Sequence, residues 1–91
     1  MMNSDNAQAL YESGVYLEQQ ANPPDFAGAY QRYARAAEMG HVAAIHNLAY
    51  LYLNGEGVKR DPDTALALFQ KAAAAGLPQA GAMAEKLKNR S

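Results

Sequence analysis

The sequence predicts an all-α fold, a solenoid of antiparallel helix pairs with about five helices, and two observations carry that prediction. The 91 residues include 20 alanines but only three Val, one Ile and one Thr. Alanine is the strongest helix former and β-branched residues are the natural strand formers, so a β-sheet protein is nearly excluded. The chain also repeats itself. Ala36-Ala37-x-x-Gly40 returns as Ala72-Ala73-x-x-Gly76, 36 residues on. Ala29, Tyr33 and Ala44 match Ala65, Phe69 and Ala80 at the same spacing. Ala9 and Gly14 match Ala44 and Ala49 at a spacing of 35, so the loop of the first copy has lost one residue. Agreement at one period in several separate stretches marks a repeat architecture.

Each copy reads as two helices. The first helix carries Leu10, Gly14 and Leu17 on one face and ends at a loop from Gln20 to Pro24, where Pro23-Pro24 forbids helix. Phe26, Ala29, Tyr30, Tyr33 and Ala37 line the second helix. The third runs from about Val42 to Asn54, with Ile45, Leu48, Ala49 and Tyr52 at i, i+3, i+4 and i+7. Asn54-Gly55-Glu56-Gly57 closes it, because glycine reaches positive φ cheaply. Asp61-Pro62 opens the fourth: Asp caps free N–H groups and Pro suits the first helical position. Ala65, Leu68, Phe69 and Ala72 form its stripe, which stops at Gly76. A fifth helix runs from Pro78 to about Asn89, with Lys86, Lys88 and Arg90 where cations suit a helix C-terminus. Gly14 and Ala49, like Ala29 and Ala65, are small so that neighbouring helices approach closely, while Tyr33, Tyr30, Tyr52 and Phe69 fill the core. The expected organisation is a single α-solenoid domain over 1–91: repeat one over about 9–43, repeat two over about 44–79, and a capping helix over about 80–90.

Composition bounds the function. The length suits one domain and buries roughly 60–65% of the unfolded surface, leaving little for a catalytic cavity. There is no cysteine, which excludes disulfide scaffolds, thiol nucleophiles and Cys-based zinc sites. A net charge of −1 argues against nucleic acid as a partner. No run approaches the ~20 apolar residues that cross a bilayer, so no membrane partner is expected. Met1 to Gln8 is polar and lacks the pattern of a secretory signal, so the expected compartment is the cytoplasm.

From Ala44 the chain reads Ala44-x-x-x-Leu48-Ala49-x-x-Tyr52-x-x-Gly55-x-Gly57-Val58-x-x-Asp61-x-x-x-Ala65-x-x-x-Phe69-x-x-Ala72-Ala73-x-x-Gly76. This resembles the Sel-1-like repeat, a relative of the tetratricopeptide repeat that is distinguished by its Gly-x-Gly-Val followed by Asp. The second copy matches end to end. In the first, only Ala9, Gly14, Ala29, Tyr33, Ala36-Ala37 and Gly40 agree; Ser13 stands in place of leucine and the Gly-x-Gly-Val is absent. In the last helix Glu85 stands where a small residue belongs. The resemblance implies a right-handed α/α solenoid acting as a non-enzymatic adaptor, scaffold or inhibitor. It also implies a protein or peptide partner on the concave face, which the first helix of each pair lines. Some bacterial members act in host interaction, signalling or toxin inhibition. No cofactor is implied.

The residues themselves point to the same face. His46, Tyr50 and Leu53 form a second stripe on the third helix at i, i+4 and i+7, with Asn47 beside it. A helix apolar on two sides is either buried on both or offers one to a partner. The corresponding positions are Tyr11, Glu12, Val15 and Glu18 in the first helix and Met83 and Lys86 in the last. The competing reading is that Tyr50 and Leu53 pack against neighbouring helices. Charge is uneven: residues 1–31 hold Asp5, Glu12, Glu18 and Asp25 and no Lys or Arg, while residues 32–91 hold eight basic and five acidic residues. That favours a basic partner, or self-association of the acidic end of one copy with the basic end of another. Catalytic patterns are missing. His41 and His46 are off the i, i+4 spacing of a shared metal site. Ser4, Ser13 and Ser91 have no His–Asp arrangement. Gly55-x-Gly57 follows a helix and lacks the Lys and Ser/Thr of a phosphate loop, and Lys59-Arg60 is too small a patch for nucleic acid.

Overall fold

The computed structural model describes residues 6–90. Met1 to Asp5 and Ser91, and with them Ser4 and the Asp5 charge, lie outside the described residues. Among the described residues five α-helices follow one another: α1 Ala7–Val15, α2 Phe26–Glu38, α3 Val42–Asn54, α4 Pro62–Ala74 and α5 Pro78–Asn89. The described residues contain no strand. None of these helices is long and apolar enough to cross a membrane.

Helices α1 to α4 each start where a side chain replaces a missing backbone partner, whereas α5 starts at Leu77 and Pro78 without a side-chain cap. Asn6, Asp25 and Asp61 accept from the amides of Ala9, Gly28 and Thr64. His41 does the same for α3, its Nδ1 accepting from Ala44 N–H at 3.2 Å. Nδ1 is therefore the unprotonated nitrogen, and Nε2 carries the proton it gives to Gln8 Oε1 at 2.7 Å. Asp61 also takes the Thr64 hydroxyl at 2.6 Å. These Thr64 hydrogen bonds hold the Asp61 carboxyl below the usual carboxylate range.

One local departure from expectation concerns the end of α1. Gln20 is still helical, because α1 widens into a π-helical turn over Tyr16–Gln20. The turn accommodates the shorter first loop. Asp25 N–H bonds Leu17 C=O at 2.8 Å, and Asp61 N–H bonds Tyr52 C=O at 2.9 Å, at matching positions of the two copies. Both copies thus close the same way over loops that differ by one residue.

Two apolar clusters stack along the chain. The first joins Leu10 of α1, Ala29, Tyr33 and Ala36 of α2, and Ala44, Leu48 and Leu51 of α3. The second joins Ile45 and Ala49 of α3, Ala65, Phe69 and Ala72 of α4, and Ala80 and Ala84 of α5. Helix α3 serves both, which explains its two apolar sides. Tyr33 and Phe69 are fully buried as expected, whereas Tyr30 and Tyr52 are half-buried and bond each other through their hydroxyls at 2.9 Å. That hydrogen bond and burial push the Tyr52 hydroxyl up to about 12.

Small residues set the fit around the aromatics. A Cβ on Gly14 would lie 2.6 Å from Tyr33 Cε1, so the ring occupies the space that glycine leaves. Gly57 (φ +76°) sits against the Phe26 carbonyl and Ala27 nitrogen at the start of α2. The next residue, Val58, packs on the first cluster. The Gly-x-Gly-Val loop therefore fastens the second pair to the first.

At the far end, Glu85 is exposed and paired with Lys88 at 3.7 Å. These residues and Gly81 hold the register positions of Ala49, Tyr52 and Ile45. A polar surface thus stands where α3 receives α4.

Candidate functional site

The aromatic residues of α2 and α4 organise the side chains of the first helices. Tyr33 reaches from α2 to the row formed by α1 and α3. Its hydroxyl donates to Glu18 Oε1 at 2.7 Å, and its ring lies 6.0 Å from that of Tyr11. Burial first, and the Glu18 hydrogen bond second, push this hydroxyl well above the ordinary tyrosine range, while the Asn47 side chain beside it pulls the other way. Tyr33 therefore stays a protonated donor, and Glu18 and Asn47 gather at its tip.

Phe69 repeats the arrangement one unit on. Its ring meets those of His46 at 5.3 Å and Tyr50 at 5.0 Å, both edge-on, and His46 and Tyr50 meet each other at 5.1 Å. Edge-to-face aromatic contacts of this kind stabilise by ~0.5–1.5 kcal/mol beyond the area they bury. His46 Nδ1 is buried without a hydrogen-bond partner. Burial lowers the pKa of this imidazole, so its neutral form is favoured.

The ten sequence-nominated residues thus fall into groups. Tyr11, Glu18 and Asn47 gather around Tyr33, and His46 and Tyr50 around Phe69. Leu53 and Met83 are half-buried against the second cluster, and Val15 against the first. Glu12 is exposed and accepts from Gln8 Nε2 at 2.8 Å; Lys86 is exposed on α5. Every member of the row keeps part of its surface open to solvent.

Sequence reasoning missed three contributors. Tyr33 was assigned to the core alone, yet its hydroxyl joins two helices of the row; a tyrosine at the register position of Phe69 was the available signal. His41, which the sequence offers only as an unsuitable metal ligand, caps α3 and stacks its ring on Tyr11 at 4.8 Å. Leu51 belonged to neither stripe of α3 and is fully buried in the first cluster.

The two copies solve one packing problem differently. The first pairs Tyr33 with Glu18; the second has Phe69 and Leu53 at the same register. Tyr33→Phe is expected to cost ~1 kcal/mol, since it removes one hydrogen bond and Glu18 can be rehydrated. Adding Glu18→Leu should recover part of that loss, so the double variant should melt above the sum of the singles. Urea melts of all four proteins check this; strict additivity would mean that the two side chains are not coupled.

The described residues hold no group of three or more His, Cys, Asp or Glu placed to bind a metal. A family model described as Sel1 repeat matches residues 7–41 and again residues 42–77. Among solved structures, a Sel1 repeat protein from Oxalobacter formigenes is similar at 36% identity and a TM-score of 0.83, over 91% of this chain. The protein c5321, a protective antigen present in uropathogenic Escherichia coli strains, displays an SLR fold and is similar at 40% identity and a TM-score of 0.77, over 85% of this chain. The chain spans only 24% and 17% of those two chains. No curated protein matches it.

Proposed function

This chain belongs to the Sel1 repeat family, whose fold is generally a protein–protein interaction module, and from that premise we propose that it is a non-enzymatic adaptor, scaffold or inhibitor acting in the cytoplasm. Its partner is a protein or peptide bound along the concave face made by α1, α3 and α5. The observation that carries this reading is the row itself. Tyr11, Glu12, Val15, Glu18, His46, Asn47, Tyr50, Leu53, Met83 and Lys86 keep exposed surface on three successive first helices. Aromatic edges and amides beside one another supply apolar area and hydrogen bonding at low entropic cost, which suits protein recognition.

Packing constrains the test. His46, Tyr50 and Leu53 contact the second cluster, so replacing all three by Ala would weaken the fold as well as the face. The chain has no cysteine, so a single engineered thiol can be blocked selectively. Glu12→Cys and Lys86→Cys place that thiol on the row at exposed positions; Gln70→Cys places it on α4, also exposed. Proteins retained from native lysate are expected to be lost when a bulky maleimide is attached at Glu12→Cys or Lys86→Cys and kept when it is attached at Gln70→Cys. Retention that depends on Gln70→Cys alone would overturn the assignment of the face.

Self-association is the second reading, favoured by the acidic α1 and basic α5. It differs in one observable: the retained protein would be the chain itself.

A further inference from the structure

We infer that the face is electrostatically directional, and that its occupant is an extended peptide segment bearing a basic residue over α1 and an acidic residue over α5. This rests on the reading that α1, α3 and α5 line one binding face. Charge complementarity carries the inference. Glu12 is exposed and Glu18 half-buried on the α1 side, and residues 6–31 contain no Lys or Arg. Both carboxylates are held by neutral donors, Gln8 and Tyr33, so their charge is uncompensated by those partners. The centre is uncharged. Asn47 is an amide, and burial favours the neutral form of His46. On α5, Glu85 takes Lys88 and Lys86 is exposed; Arg90, just past the helix, is exposed too. The row therefore runs acid, neutral, base.

The spacing sets the length of the segment. Helix α3 shares one apolar cluster with α1 and the other with α5, across the intervening helices, so α1 and α5 stand about two helix spacings apart, on the order of 20 Å. An extended chain advances ~3.3 Å per residue, so the basic and acidic residues of the occupant stand about five or six positions apart. Between them, side chains of moderate size and apolar character meet the ring edges of His46 and Tyr50. Exposed ion pairs are weak, about two- to fivefold in affinity each, and salt screens them. The two ends therefore select the occupant, and the centre supplies most of the affinity.

The probe is a phage-displayed library of random dodecapeptides, panned at low salt on three immobilised proteins: the parent, Glu12→Lys and Lys86→Glu. Both substitutions are at exposed helix positions, and a circular-dichroism melt of each checks that the fold is kept. The parent is expected to enrich peptides carrying both signs about five or six residues apart. Glu12→Lys should enrich acidic peptides without the basic residue, and Lys86→Glu basic peptides without the acidic one. A parent-selected peptide should bind each variant about two- to fivefold more weakly, with the difference shrinking in salt. Equal charge content in all three selections would overturn the directional reading and leave the face itself standing. Peptides whose binding survives maleimide blocking at both Glu12→Cys and Lys86→Cys, or no enrichment in any selection, would overturn both.

Discussion

Phe69→Ala is expected to cost ~3–5 kcal/mol, the usual range for deleting a fully buried aromatic ring. The reason is position. Phe69 has no exposed surface, and it joins the α4 side of the second cluster to the His46 and Tyr50 rings of α3. The other fully buried residues of its cluster are mostly alanines, which are too short to close over the space it leaves. A chain of this length holds roughly 0.05–0.15 kcal/mol per residue, so the loss is a large part of total stability. Urea denaturation followed by circular dichroism measures it. The same variant should disorder Tyr50 and His46, whose rings lean on Phe69. Phe69→Leu should recover much of the stability but not the edge-to-face contacts.

Gly57→Ala is the second large effect, and it acts on the backbone. At φ +76° an alanine is strained by ~1–2 kcal/mol. A Cβ there also runs into the Phe26 carbonyl and the Ala27 nitrogen, main-chain atoms that cannot rotate away. The loop must then lift from the start of α2, taking Val58 out of the first cluster. Stability is expected to fall by more than the strain alone. Gly40→Ala provides the comparison: its φ is +88°, yet nothing lies within 4 Å of the added carbon. Thermal melts should therefore place Gly57→Ala clearly below Gly40→Ala. Equal melting temperatures would show that the contact with α2 contributes nothing.

Much of this fold was legible in the sequence because the repeat constrains each element twice. The ends of α3 and α5, the cap at Asp61, and the burial of Tyr33 and Phe69 all follow from helical spacing, glycine, proline and capping chemistry. The π-helical turn at Tyr16–Gln20 was not legible. It arises from a one-residue difference in loop length that the chain could have absorbed on either side of Pro23-Pro24. Leu51 was missed for a related reason. A helix shared by two clusters has apolar residues almost all round, and periodicity does not say which neighbour each one meets. For the proposed face, spacing nominates one side of each helix but not the focal points. Those depend on Tyr33 and Phe69 reaching across from the second helices, a tertiary contact without a local signature. The competing reading, in which the α3 stripe packs inward, also has its counterpart in the geometry: His46 and Tyr50 touch Phe69 and still present surface to solvent.

We propose that the first helix of each pair carries recognition while the second helices carry the fold. Amide hydrogen exchange, followed with and without a retained partner, tests it most directly. Binding is expected to add protection on α1, α3 and α5, strongest near Glu12, Asn47, Tyr50 and Lys86, and to leave the outer surfaces of α2 and α4 unchanged. Protection concentrated on α2 and α4, around Gln31 and Gln70, would contradict the account.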